Sequence, residues 1–134
     1  MTAPSRADQL NEITSSIIAA AIRIHRALGP GLLETAYLAC LCHELRQLEV
    51  RLETQKAVPL VYGDLRIDCA YRADLLVERS VIVEVKAADL LAPLHARQLH
   101  TYVKLAACPF GLLLNFGAPT MRDGIKRIVN QFPD

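Results

Sequence analysis

The stretch Tyr71-Arg-Ala-Asp-Leu-Leu-Val-Glu-Arg-Ser-Val-Ile-Val-Glu-Val-Lys86 determines the fold, because two apolar segments flank a short polar turn. Runs of Val, Ile and Leu around such a turn are typical of a β-hairpin. Residues two apart in a strand point to one face of the sheet, so Glu84 and Lys86 share a face. If the turn closes the hairpin, Asp74 lies across from Val83–Val85 and close to Glu84. A register shift of one residue would turn Asp74 to the opposite face.

Two amphipathic helices precede this hairpin in the sequence. The first is predicted over Asp8–Leu28, where apolar residues recur at helical spacing. Gly29-Pro30-Gly31 ends it, because proline cannot continue a helix and glycine tolerates the turn. The second helix is predicted over Leu32–Leu48. A third is predicted after the hairpin, over Ala92–Ala107, with one proline in its first turn and another beyond its end.

Short extended segments fill much of the remaining sequence. Four strands are predicted between the second and third helices, with turns at Gly63-Asp64 and Glu78-Arg79-Ser80: Val50–Thr54, Val58–Tyr62, Ile67–Val77 and Val81–Val85. The apolar run Gly111–Phe116 predicts a further strand buried on both faces, and a short amphipathic helix is predicted over Asp123–Asn130. This order of elements predicts an α/β fold in which helices sandwich a mixed β-sheet.

The 134 residues suit a single domain, with residues 1–8 expected to form a flexible N-terminus. Hydrophobic residues make up 52% and charged residues 22%, a balance that argues against disorder. No apolar run approaches the roughly 20 residues of a membrane-spanning helix. The first dozen residues are polar, which predicts a cytoplasmic protein without a secretory signal peptide.

The net charge of +1 indicates no strong electrostatic field for nucleic acid, although it leaves room for a local basic patch beside an acidic site. The four cysteines form no C-x-x-C pair, so a structural zinc site is not expected. Tryptophan is absent and aromatic residues make up 5%, which argues against a platform for base stacking.

The hairpin combines two carboxylates with an ammonium group, and such charges are costly to bury unless they are paired or bound to a metal. A hard divalent cation such as Mg2+ would relieve the repulsion between Asp74 and Glu84. Water activated by the metal could attack a phosphodiester, with Lys86 orienting that water or stabilising charge on the phosphate. The alternative at this point is an exposed pair at a sheet edge, with Lys86 in a salt bridge to Glu84.

Polar residues on the predicted helices add further candidates. His95, Gln98 and Tyr102 lie at i, i+3 and i+7, so they share one face of the helix that directly follows the hairpin. Glu34 lies early in the second helix, where the helix dipole alone favours a carboxylate. His25 lies among apolar residues and is interpreted as a packing or surface histidine rather than a metal ligand.

Motifs along most of the chain, from about Ile13 to Val129, carry a resemblance to a known family: Gly31-Leu-Leu-Glu34-Thr-Ala-Tyr37, Tyr71-Arg-Ala-Asp74-Leu-Leu-Val, Val83-Glu84-Val-Lys86-Ala, Pro93-Leu-His95-Ala-Arg-Gln98-Leu-His-Thr-Tyr102, Gly111-Leu-Leu-Leu-Asn-Phe116 and Asp123-Gly-Ile-Lys-Arg-Ile-Val129. The first fits the pattern that names the GxxExxY protein family, and the whole set resembles that family. It is placed in the PD-(D/E)XK nuclease-like superfamily, so the resemblance implies a restriction-endonuclease-like core and a nuclease function.

The resemblance also implies roles for individual residues. Asp74 matches the first metal-binding aspartate of the superfamily, and Glu84 and Lys86 match the E-x-K of its second motif. Gln98 matches a polar residue on the helix after that strand. Glu34 matches the acidic residue of an early helix that completes the metal site in many relatives.

Other matching positions carry less information. Tyr37, His95 and Tyr102 match family positions without a clear role. Ala73 stands where the superfamily motif has a proline, but that position varies among its members. Ala96 stands where family members often have an acidic residue before the glutamine, so the resemblance implies that a contact behind the metal ligands is lost.

The leading hypothesis is a nuclease dependent on Mg2+ or Mn2+ that acts on DNA or, as the weaker option, on RNA. Its metal ligands would be Glu34, Asp74 and Glu84, its catalytic residues Asp74, Glu84, Lys86 and Gln98, and its substrate contacts Arg72, His95 and Tyr102. One alternative is a non-catalytic nucleic-acid-binding or assembly module that retains the fold. Another is a metal-binding regulatory protein without a nucleic-acid substrate. The small size also suggests a homodimer, since a small nuclease core often needs a second copy to hold a duplex.

Overall fold

The computed structural model describes residues 3–130 of the chain. Its elements are α1 (Arg6–Leu28), α2 (Glu34–Arg46), β1 (Leu52–Tyr62), β2 (Leu65–Val77), β3 (Val81–Lys86), α3 (Pro93–Leu105), β4 (Phe110–Asn115), a single turn of 3-10 helix (Arg122–Gly124) and β5 (Ile125–Val129). All three α-helices begin and end within two residues of their predicted bounds.

The five strands form one mixed sheet in the order β1-β2-β3-β4-β5. The first three strands make an antiparallel meander, and α3 then crosses over so that β4 lies parallel to β3. Strand β5 returns antiparallel to β4. The predicted α/β architecture, a mixed sheet between helices, is therefore confirmed.

The sheet has a hydrophobic core on each face. Helices α1 and α2 cover one face, where their buried side chains pack with Val83 of β3 and Leu112 of β4. Helix α3 covers the other face, where Leu99 packs with Ile82 and Leu113. Because side chains alternate along a strand, every even-numbered position of β3, Glu84 included, faces α3.

A single strand, β1, replaces the two strands predicted over Val50–Thr54 and Val58–Tyr62, so the prediction of four strands before α3 was wrong. The chain continues as one strand through Gln55, although the φ of that residue is 50°. The ladder to β2 shifts register around Pro59. Because β1 is an edge strand, a bulge there tolerates the missing N–H of a proline.

The helix predicted over Asp123–Asn130 was also wrong, because that segment forms the short 3-10 turn and strand β5. Ile125, Ile128 and Val129 have the i, i+3, i+4 spacing of a helix face. Their β-branched side chains nevertheless favour a pleated, half-buried surface, which the open edge of β4 provides. The intervening charged pair Lys126-Arg127 is exposed and suits an edge strand.

Helix α1 begins at Arg6 because Ser5 forms a capping box with Asp8. Residues 6–8, predicted to belong to a flexible N-terminus, are thus helical, whereas residues 1 and 2 lie outside the described part of the chain. Among residues 3–130, no helix is both long and apolar enough to cross a membrane.

Candidate active site

The β2–β3 hairpin has the register that the candidate chemistry requires. Its turn closes with a hydrogen bond of 2.9 Å from the backbone N–H of Ser80 to the carbonyl of Val77. The ladder ends with Leu75 paired to Val83, and Asp74 and Glu84 are the next residues of the two strands. Both line one cavity with Gln98 of α3, so the two carboxyl groups meet on the α3 side of the sheet.

The backbone ladder between β2 and β3 ends at the Leu75–Val83 pair, and beyond it the side chain of Asp74 bonds to β3 instead. Its Oδ2 atom accepts a hydrogen bond of 2.9 Å from the backbone N–H of Val85. Side-chain alternation is also interrupted here, because Ala73 and Leu76 pack in the same core cluster although they are three residues apart. This local irregularity occurs where the Asp74 carboxylate reaches across to the backbone of β3.

Glu84 is buried in the middle strand of the sheet, with 9% of its surface exposed. Burial, and then the negative charge of Asp74, raise the pKa of this carboxyl group from 4.5 to about 8, and the charge of Lys86 acts in the opposite direction. Its Oε1 atom is buried without a hydrogen-bond partner. These observations do not support the alternative of an exposed ion pair at a sheet edge.

A cavity of about 270 Å³ joins these residues to helix α3. Seven of the eight predicted site residues line it, together with Tyr71 and the apolar Leu99 and Leu113: Arg72, Asp74, Glu84, Lys86, His95, Gln98 and Tyr102. The crossover from β3 to α3 explains this convergence, because the helix packs back over the strand that precedes it.

Tyr71 belongs to this cavity, although the sequence assigned it no role. Its ring stacks on Tyr102 at 3.5 Å between ring centroids, and its buried hydroxyl has no hydrogen-bond partner. Burial, followed by the nearby charge of Glu84, raises the pKa of this hydroxyl. The feature of the sequence that could have identified Tyr71 is its position three residues before Asp74, at the start of the buried part of β2.

Unsatisfied polar atoms are concentrated in this one cavity. Within residues 3–130, buried side-chain oxygen or nitrogen atoms without a partner occur only on Tyr71, Glu84 and His95, and all three residues line the cavity. Buried polar groups are nearly always hydrogen-bonded, so unsatisfied ones mark places where a ligand completes the network.

A family model for the PD-(D/E)XK nuclease superfamily matches residues 11–128 of the sequence. This chain belongs to that superfamily. The solved crystal structure of SSO0001 is similar, at 17% sequence identity and a TM-score of 0.44, over 92% of this chain and 80% of the other. A comparison of the sequence with curated proteins gives no match.

PD-(D/E)XK nucleases generally depend on divalent metals. The side chains that line the cavity can therefore be compared with the ligands that such an ion needs. Residues 3–130 contain no cluster of three or more His, Cys, Asp or Glu side chains placed to hold a metal. Asp74 and Glu84 nevertheless offer adjacent carboxyl groups, and the Oε1 atom of Glu84, which has no hydrogen-bond partner, is available to bind a cation. Two carboxylates with water in the remaining positions fit a hard cation such as Mg2+.

Glu34 is the one predicted site residue that does not line this cavity. It is exposed at the first position of α2. The surrounding GxxExxY motif is structural: Gly31 has a φ of 120°, and the Tyr37 hydroxyl donates to the carbonyl of Gly29 at 2.5 Å and accepts from the N–H of Leu32 at 3.1 Å. The tyrosine therefore fixes the turn that presents Glu34.

Asn115 holds the chain segment that follows Lys86. It ends β4, is buried, and is paired with Lys86 across the parallel ladder. Its Oδ1 accepts from the N–H groups of Ala88 at 2.9 Å and Gly117 at 3.1 Å, and its Nδ2 donates to the carbonyl of Ala88 at 2.9 Å. The signal in the sequence was a lone polar residue within an otherwise apolar strand.

His25 has the packing role that the sequence suggested. It is buried in α1, and its Nε2 lies 2.8 Å from the carbonyl of Ala118. It does not line the candidate active site.

Proposed function

We propose that this PD-(D/E)XK protein is a Mg2+- or Mn2+-dependent nuclease that hydrolyses phosphodiester bonds of DNA. The observation that carries the proposal is the buried, unpartnered oxygen of Glu84 beside the Asp74 carboxylate, in a cavity shared with Lys86. Ionisation of Glu84 beside the Asp74 carboxylate is costly in an apolar sheet, and a divalent cation held by these two residues would remove that cost.

Each side chain of the site has a separate role in the proposed reaction. Asp74 and Glu84 would hold a divalent cation, which would supply Lewis acidity toward the phosphate when bound. The Lys86 ammonium orients the attacking water and stabilises negative charge as it develops on the phosphate. Gln98, on α3 above the same cavity, holds that water or a phosphate oxygen by hydrogen bonding.

Substrate contacts are assigned to three other residues that line the cavity: Arg72, His95 and Tyr102. Arg72 is exposed, so its guanidinium can reach a phosphate outside the cavity. DNA is proposed as the substrate, and RNA serves as the comparison in the experiment. Homodimer formation would allow two such small sites to hold one duplex.

Glu34 is proposed as a third carboxylate, acting through a bridging water because it does not line the cavity. This assignment follows from the resemblance of Gly31-Leu-Leu-Glu34-Thr-Ala-Tyr37 to the GxxExxY family, to which we propose that the chain belongs. The fixed turn around Tyr37 supports it, since a rigid turn keeps the exposed carboxylate in one place.

The deciding experiment measures cleavage of labelled DNA and RNA by the full chain with Mg2+, Mn2+ or a chelator. Lys86→Ala should lower the cleavage rate by about 100-fold or more, the usual cost of losing a group that stabilises a transition state. Lys126→Ala is the matched control, because Lys126 is exposed on the edge strand β5 and lies outside the cavity. Cleavage that survives chelation, or that Lys86→Ala leaves unchanged, contradicts the proposal.

A non-catalytic nucleic-acid-binding or assembly module is the second candidate. It is favoured by the cavity holding two acidic side chains, Asp74 and Glu84, without the third that the resemblance implies. This alternative predicts salt-sensitive binding of nucleic acid without cleavage under any metal. Lys86→Ala would then change binding only as the loss of one charge does.

A further inference from the structure

Strands β1 and β2 extend well beyond the rest of the sheet. Strand β3 pairs only with Leu75–Val77 of β2, so the far part of the β1–β2 hairpin, residues 59–70, has no neighbouring strand on its outer sides. We call these residues the arm. Every residue from 61 to 70 is exposed, and none belongs to either core cluster. A two-stranded hairpin without packing partners is at best marginally stable in water.

One face of the arm is apolar. The register pairs Leu60 with Ile67 and Tyr62 with Leu65, so these four side chains share a face. Tyr62 is 79% exposed and Leu65 is 56% exposed. Contiguous exposed apolar side chains of this kind mark a surface that another molecule covers.

The charges of the arm argue against nucleic acid as that molecule. The arm carries one arginine, Arg66, and two aspartates. Arg66 is already paired with Asp68 at 3.0 Å, which leaves Asp64 at the tip without an ion-pair partner in the described chain. A surface that holds phosphates carries unpaired cations instead.

A complementary surface lies at the base of the same hairpin. A cavity of about 340 Å³, here called the β1 cavity, has an apolar floor that includes Val58, Leu76 and Ile82. Its rim carries Lys56 and Arg79, of which Lys56 pairs with Glu53 at 3.4 Å, while Arg79 has no ion pair among the described residues. The volume is at the lower end for ligand pockets, about 300 Å³, and suits a few side chains.

We propose that the arm of one copy of this chain docks in the β1 cavity of a second copy, with the apolar face on the cavity floor and Asp64 near the partner's Arg79. Each copy carries both complementary surfaces, so a two-fold arrangement forms both contacts at once and closes as a dimer. A stable interface buries about 800 Å² on each partner, and two reciprocal contacts double what one arm can contribute. The proposal does not rest on the nuclease activity.

Sedimentation velocity of the full chain, without metal or nucleic acid, tests this dimer. The double variant Tyr62→Ser/Leu65→Ser should raise the dimer dissociation constant by about tenfold or more, because buried apolar anchors dominate interface energies. Leu48→Ser/Leu90→Ser is the matched control: these leucines are 48% and 88% exposed but lie outside both surfaces, and the dimer should persist. Circular dichroism verifies that each variant is folded.

A charge exchange provides a second, independent test. Asp64→Arg and Arg79→Glu should each weaken the dimer by about threefold, and the two together should restore it. A wild-type chain that stays monomeric at every accessible concentration overturns the proposal, as does an arm variant that dimerises normally. The last outcome concerns concentrations at which both chains are monomeric. If the arm variant then binds DNA more weakly than the wild-type chain, nucleic acid is the occupant of the arm and the proposal is overturned.

Discussion

Glu84 combines deep burial, a charged neighbour and a free oxygen atom, and each property constrains what the residue does. A carboxyl group with a pKa near 8 is largely protonated at neutral pH unless a cation displaces the proton. Metal binding at this pair is therefore expected to release protons. The sequence placed Asp74 and Glu84 together because the hairpin periodicity is strong, whereas burial of Glu84 depended on α3 docking above it.

The pKa of Glu84 predicts how the stability of the metal-free chain varies with pH. The folded-state pKa, about 8, lies above the ordinary 4.5, so the folded state holds the proton more tightly. The contribution to stability is thus complete below about pH 4.5 and lost as pH rises through about 8. Denaturant unfolding between about pH 5 and pH 9 measures it. In Glu84→Gln, the fall in unfolding free energy that Glu84 causes over this pH range should vanish. If the variant shows the same pH dependence as the wild-type chain, the raised pKa of Glu84 is contradicted.

Removal of the Tyr71 hydroxyl is expected to raise the stability of the chain while it lowers the cleavage activity. Its buried hydroxyl has no partner, so Tyr71→Phe should stabilise the chain by about 1 kcal/mol and lower cleavage if the hydroxyl contacts substrate. Tyr37→Phe is the control, because the Tyr37 hydroxyl makes two hydrogen bonds, and its loss should destabilise by about 1–3 kcal/mol. Thermal unfolding of both variants should therefore move in opposite directions.

At the scale of elements, the sequence predicted the helices well and the sheet edges poorly. Apolar periodicity marks α1, α2 and α3 because each buries one stripe against the sheet. The edge strands β1 and β5 lack such a pattern, because nearly all of their residues are exposed or half-buried. The segment from Ile125 to Val129 matched a helical period by coincidence, and the open edge of β4 decided its structure.

The segment after β3 packs so closely against the chain after β4 that no space is left for a side chain at Gly117. A Cβ atom there would lie 2.4 Å from the backbone oxygen of Ala88. Gly117→Ala should therefore destabilise by about 2–3 kcal/mol and displace the segment that Asn115 holds behind Lys86. Gly63→Ala is the comparison: its Cβ meets nothing, and only its φ of +57° is unfavourable, at a cost of about 1 kcal/mol. Equal melting temperatures for the two variants would contradict this account.

For the whole molecule, a net charge of +1 limits how strongly it attracts nucleic acid. Few basic side chains line the candidate active site: among the described residues they are Arg72, Lys86 and the imidazole of His95. Long-range attraction is correspondingly modest, and recognition depends on contacts close to the cavity. The sequence revealed this balance directly, but it could not reveal the arm, because exposure of residues 61–70 depends on where β3 ends.

The modest charge predicts a shallow salt dependence of duplex DNA binding. With about two or three phosphate contacts, the slope of log affinity against log salt should be about −2 to −3. Arg72→Ala should make that slope shallower by about one unit. Arg46→Ala, at the exposed end of α2 and outside the cavity, should leave it unchanged. Fluorescence anisotropy with a chelator present measures binding without cleavage, and a steep slope that both variants share would contradict the assignment.

The β2–β3 hairpin has a kinetic consequence, because it brings Asp74 and Glu84 together through a contact that is local in the chain. Local contacts tend to form early in folding, so like charges approach each other before α3 docks. A nascent hairpin therefore works against its own electrostatic repulsion during the search for the native state. Neutral amide substitution at Glu84 should accordingly accelerate refolding more than it slows unfolding, and added divalent cation should do the same for the unaltered chain.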